Sequence, residues 1–265
     1  CGRSFPKTRW AVCWQRWSPS NGRDQRWTPH RSDAPLGSSW QLIGMHGWGS
    51  DQRNWDAFEP HCQQRGWPLQ RLDRGYGRYP EQSASWLPQG RRALLLSSLG
   101  SQLVPSDLLQ QADAVVLLAS FGRFVPAGAA GRPLQQALRL MDQRLGDGDL
   151  VGLFADFRLK VAEPQAVEYL PPGIEDGPVS AEGLQRLRQD LELLRCCQGL
   201  PGAFPEQAAV LIVEAMADTI VHPNSRAALR QELPQAELVE LAGVGHGLLS
   251  PGLCEQVVGW LDALP

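Results

Sequence analysis

The sequence predicts an α/β fold: a mostly parallel sheet with helices on both faces and a helical cap inserted before the acid-bearing strand. Three observations lead there. Short apolar runs such as RRALLLSS, ADAVVLLAS and QAAVLIVEA are continuous rather than alternating, as strands are when both faces of a parallel sheet are covered. Segments of helical spacing lie between them, which is the βαβ arrangement. Between residues 121 and 206 that alternation stops, and it then resumes.

In chain order, WQLIGMHGW reads as a buried strand ending in a turn. Residues 51–65 have helical spacing, with Trp55, Phe58 and Cys62 on one face. WPLQRLDRGYGRYP is a short strand running into a Gly-rich loop. RRALLLSS is the next strand, and SLGSQLVPSDLLQQA begins a helix that Pro105 interrupts. ADAVVLLAS follows as a strand. The insert of 121–206 holds two helical segments, LQQALRLMDQRL and AEGLQRLRQDLELLRCC, joined by Pro/Gly-rich connectors such as YLPPGIEDGP. Strands at 207–215 and 236–241 and an amphipathic C-terminal helix, EQVVGWLDAL, complete the pattern. Residues 38–120 and 207–265 are thus a core. The insert is a cap over the strands' C-terminal edge, where open α/β sheets bind ligands.

A chain of 265 residues, 43% apolar and 20% charged, has the composition of a globular protein and contains no run long enough to span a membrane. Its six cysteines show no ligand-like spacing, which points to reduced thiols and a cytoplasmic setting rather than a disulfide framework or a metal site. Cys196 and Cys197 are expected at buried helix positions. Charge is uneven. Residues 1–36 carry seven Arg or Lys against Asp24 and Asp33, a net of +5 beside four tryptophans, while the whole chain is −3. Residues 1–37 are read as a basic, Trp-rich, poorly ordered extension. A nucleic-acid-binding arm is the alternative, since basic residues interleaved with aromatics track phosphates and stack bases.

Three serines, Ser97, Ser98 and Ser101, lie at the end of RRALLL and just beyond it, but only Ser98 has glycine two residues later, at Gly100. A nucleophile presented on a tight strand-to-helix turn has small residues on both sides. Leu96 departs from that pattern. A serine becomes nucleophilic only beside a base that a third group orients. Asp218 follows the strand at 207–215 and His246 follows the strand at 236–241, giving the order Ser…Asp…His. Glycines on both sides of His246 leave it unhindered on a flexible loop. Glu214 lies inside its strand and is the weaker acid, and His222, before Pro223, is a turn residue or a rim contact.

From Trp40 onward the chain resembles the α/β-hydrolase superfamily, and within it the pimeloyl-[acyl-carrier protein] methyl ester esterases of biotin synthesis. HGWGSDQRNW, LDRGYGRYP, SSLGS, ADTIVHP and GHGLLSP carry the likeness. The elbow LSSLGS departs from that group's pattern and resembles its variant forms, cyanobacterial ones among them. The resemblance implies Ser98 as nucleophile, Asp218 as acid and His246 as base, with the Trp48 and Leu99 amides binding the oxyanion. It also implies a serine carboxylesterase that needs no cofactor or metal and whose partner is an acyl-carrier protein. On that reading Arg132, Arg139 and Arg144 form either a docking surface for the acidic carrier or a solvated helix face. Met141, Leu145 and Phe154 either line the acyl channel or pack the cap. A short-acyl esterase or thioesterase of broad specificity, and a catalytically silent binding protein of the same fold, are the alternatives.

Overall fold

The computed structural model describes residues 39–265 and gathers the apolar runs into one six-stranded parallel sheet. Its strands are β1 (Trp40–Met45), β2 (Leu69–Arg71), β3 (Arg91–Ser97), β4 (Ala114–Leu118), β5 (Ala209–Ala215) and β6 (Glu237–Leu241), in the order β2-β1-β3-β4-β5-β6. The helices are α1 (Glu59–Gln64), α2 (Gly100–Leu103), α3 (Ser106–Gln110), α4 (Arg132–Gly146), α5 (Leu150–Ala162), α6 (Ala181–Cys196), α7 (Pro223–Glu232) and α8 (Leu253–Ala263). The extension read at residues 1–37 lies outside the described residues. Among the described residues, no helix is long and apolar enough to cross a membrane.

Side chains alternate across the pleat, so each central strand feeds two cores. Trp40, Leu42, Ala93, Leu95, Val116 and Val213 pack with Phe58, Cys62, Val257, Val258 and Leu261, the last three from α8. Ile43, Met45, Leu94, Leu96, Leu117 and Ile212 face the other way, against Leu108 and Leu109 of α3 and Leu229 of α7. Each fully buried aliphatic side chain contributes roughly 1.5–3 kcal/mol. Met45, Leu96, Leu117, Ile212 and Leu238 are successive partners across β1, β3, β4, β5 and β6. The loops after those five strands therefore emerge along one edge.

The helix expected over 51–65 divides in two. A 3-10 turn at Gln52–Trp55, capped by Asp51, precedes α1. Pro60 explains the break, because a residue without an N–H fits a helix's first turn but not its interior. Helices α5 and α7 have no counterpart in the sequence reading. Cys197 is buried as expected, but Cys196 is exposed at the end of α6. The final strand, β6, is largely exposed at the sheet's edge.

Helices α4, α5 and α6 all fall between β4 and β5. Their apolar sides form a third cluster, with Leu138, Leu145, Phe154, Leu187 and Leu191 packed with Trp48, Leu99 and Phe121 from the loops at the strand ends. The insert thus sits on the edge where the candidate residues emerge.

Candidate active site

Ser98 directly follows β3 and adopts the left-handed backbone conformation, φ 52°, that a non-glycine residue rarely takes. Two hydrogen bonds hold it there. Its N–H donates to Leu118 O at 2.8 Å, and Ser120 Oγ donates to its carbonyl at 2.7 Å. Gly100 lets α2 start against β1: a Cβ at that position would lie 2.4 Å from Met45 O. On the other side of Ser98, Leu96 is fully buried. It fits because α2 ends at Leu103 and Val104 and Pro105 are extended, so that Leu96 packs with Val104 and Leu108. The large residue is core, and the turn is made without a small one.

Asp218 and His246 meet this serine. His246 Nδ1–H donates to Asp218 Oδ2 at 2.8 Å, and Ser98 Oγ lies 3.1 Å from His246 Nε2, within hydrogen-bond reach. The second oxygen of Asp218 accepts from the Ile220 and Val221 amides at 2.7 and 3.0 Å. Burial raises the carboxyl's pKa, but His246 and those two amides outweigh it and hold the pKa below the ordinary value. Ala217 N–H donates to Val244 O at 2.9 Å and ties the acid loop to the base loop. The glycines beside His246 serve close packing rather than mobility. A Cβ on Gly245 would lie 1.6 Å from Glu163 O, and Gly247 N–H donates to Val161 O at 2.8 Å. The loop expected to be flexible is pinned against the end of α5.

Glu214 is buried and pairs with Arg230 at 3.1 Å, away from this chain of bonds. His222 caps α7 by accepting from Asn224 N–H. Leu99 follows Ser98 in the chain, Trp48 follows Gly47, which lies against Ser98, and among the described residues neither amide has an internal acceptor. The Trp48 indole stacks on Phe154 at 5.6 Å and donates to Leu187 O at 2.9 Å, so the insert grips this loop directly.

A cavity of about 770 Å³ opens over Ser98 and His246. Its walls come from the turn at Trp55 and Phe58, from Phe157 and Val161 of α5, and from the connector Tyr169–Gly173. Met141, Leu145 and Phe154 are not on those walls: Leu145 and Phe154 are buried in the insert's own core and Met141 packs against it. The wall residues of the connector escaped sequence reading because YLPPGIEDGP looks like a plain linker. Two cations reach the wall, both neutralised. Arg53 pairs with Asp51 at 2.7 Å and Asp176 at 2.8 Å, and Arg158 with Glu175 at 2.8 Å. Arg132, Arg139 and Arg144 lie on α4, which does not line the cavity. Arg144 is held by Asp149 at 2.7 Å and Asp156 at 2.8 Å.

The parallel sheet, the insert and the strand-end loops together are the α/β-hydrolase fold. The chain matches no protein-family profile and, by sequence, no curated protein. Solved structures do match. An esterase from Exiguobacterium antarcticum superposes with a TM-score of 0.67 at 14% identity, over 86% of this chain and 94% of that one. A hydrolase from Oleispira antarctica gives 0.61 at 12% identity, over 85% and 92%. An enol-lactonase from Burkholderia xenovorans LB400 gives 0.56 at 14%, over 84% and 89%.

Proposed function

We propose that this chain is a serine carboxylic-ester hydrolase. The observation that carries the reading is the Asp218–His246–Ser98 chain, bonded at 2.8 and 3.1 Å and opening on an apolar-walled cavity. Ser98 Oγ attacks the ester carbonyl as His246 Nε2 takes its proton, and Asp218 stabilises the imidazolium that forms. The carbonyl oxygen gains charge and is met by the Leu99 and Trp48 amides. His246 then protonates the departing alkoxide. Water, deprotonated by the same nitrogen, attacks the acyl-enzyme and frees the acid and Ser98.

For the substrate we propose the methyl ester of pimeloyl-acyl-carrier protein. HGWG and the other motifs quoted above support it. So does the cavity, whose about 770 Å³ suits a small-molecule chain. A wall whose cations are already paired favours a neutral methyl ester over the carboxylate product, which helps product leave. Of the α4 arginines, Arg132 and Arg139 make no ion pair among the described residues and are the better candidates to meet an acidic carrier. A broad short-acyl esterase is the second reading, favoured by the absence of a free cation on the cavity wall among the described residues.

Hydrolysis of p-nitrophenyl butyrate by the purified chain tests the reaction class, and no turnover above background contradicts it. Rescue of a biotin-requiring strain that lacks its own esterase tests the substrate. Turnover of the small ester without rescue favours the second reading.

A further inference from the structure

The loop carrying the Trp48 amide is tied to the insert at two points one turn apart on α6. Trp48 Nε1–H donates to Leu187 O at 2.9 Å. Asp190, only 3% exposed, accepts from Arg74 Nε at 2.8 Å and Nη2 at 3.1 Å, and from the Tyr76 hydroxyl at 2.6 Å. The Arg74 backbone N–H in turn donates to His46 Nε2 at 3.1 Å. An imidazole that accepts at Nε2 carries its proton on Nδ1, and that N–H donates to Gly47 O at 2.8 Å. Full burial lowers the pKa of His46 against the pull of the nearby Asp73 carboxylate, which favours the neutral ring.

Gly47 C=O and Trp48 N–H are the two ends of one planar trans peptide and point in opposite directions. Anchoring the carbonyl therefore aims the amide. Gly47 itself lies against the serine: a Cβ there would be 2.9 Å from Ser98 Cβ.

We propose that Asp190 is a positioning residue for the oxyanion donor. It holds His46 through the Arg74 backbone and through Tyr76, whose ring meets the imidazole edge-on at 5.7 Å, and through His46 it fixes the Gly47–Trp48 peptide. The proposal rests on the serine-hydrolase reading of Ser98. Its consequence is that the insert, besides covering the cavity, sets the geometry of the reacting centre through this one chain of bonds.

Asp190→Asn removes the charge that organises Arg74, and Tyr76→Phe removes one hydrogen bond while leaving the ion pair. Leu138→Ala loosens the insert through its core on α4 without touching this chain of bonds. Each is compared with wild type for kcat and KM on p-nitrophenyl butyrate and for inhibition by a trifluoromethyl ketone, whose adduct with a serine places an oxyanion at the donor amides. Losing one such donor costs about 100–1,000-fold, and mispositioning it costs part of that. Asp190→Asn should lower kcat by about 10–100-fold and weaken ketone inhibition by a similar factor, with KM changed by less than about threefold. Tyr76→Phe should show the same split at about three- to tenfold, and Leu138→Ala should lower Tm with kcat near wild type. A folded Asp190→Asn with wild-type kcat and ketone affinity overturns the proposal, as does a kcat loss in Leu138→Ala as large as its own. If Asp190→Asn does not fold, Tyr76→Phe decides by the same criterion. Wild-type protein that neither turns over the ester nor binds the ketone overturns the serine-hydrolase reading along with this one. Active wild type with an unaffected Asp190→Asn overturns this one alone.

Discussion

Asp218 shows at the level of one residue how a buried carboxylate is kept ionised. Burial alone pushes its pKa up, and His246 with the Val221 and Ile220 amides brings it below the ordinary carboxylate value. A folded-state pKa below the unfolded one means that the carboxylate stabilises the fold above the unfolded value, about 3.9, and that this contribution fades as pH falls through the lower folded value. Urea titrations of wild type and Asp218→Asn should therefore show a stability gap at pH 6 that narrows below about pH 4. A gap independent of pH would mean that the carboxylate's charge is not what the fold uses. Leu96 makes the opposite kind of case. As a departure from the small-x-Ser-x-Gly pattern it invites replacement by glycine, yet it is fully buried in the core that Val104 and Leu108 share. Leu96→Gly should lose roughly 3–5 kcal/mol from the cavity and the freed backbone. Unchanged stability in a denaturant titration would show that the core closes over the gap.

Elements were legible where one periodicity ruled. β3, β4 and β5 are unbroken apolar runs because both faces are covered, and each comes out as a strand. α5 was not legible, because LVGLFADFRLKVA is apolar on nearly every side and even exposes Val151 and Leu159, leaving no clean stripe to read. α7 is short and polar. Ser98, Asp218 and His246 could be read from local motifs, since each lies at the end of a strand or in the loop just after one. Asp190, Arg74 and Tyr76 could not, because 114 or more residues separate the α6 carboxylate from its partners. On α4, Arg144 is neutralised by Asp149 and Asp156, so a carrier protein would meet Arg132 and Arg139. Arg132→Glu with Arg139→Glu should weaken hydrolysis of a carrier-linked methyl ester at low salt, with the effect shrinking as salt screens it, and leave p-nitrophenyl butyrate turnover unchanged. Equal loss on both substrates, or on neither, removes α4 as the docking surface.

Taken whole, the molecule sets one sheet edge against one helical insert and places the hydrogen-bonded chain where they meet. Residues 39–265 belong to one compact unit, and the three cores described above draw all their members from it. Deleting residues 1–36 should leave cooperative unfolding and ester hydrolysis intact, and loss of either would show that the basic segment supports the fold. The central claim is that Ser98 is a nucleophile made reactive by His246. Intact-mass analysis after treatment with a fluorophosphonate tests it most directly. Wild type should gain one adduct, mapped to the peptide containing Ser98, with Ser97→Ala still labelled and Ser98→Ala and His246→Ala unlabelled. An adduct that persists in Ser98→Ala, or a wild-type chain that takes up none, would contradict the account.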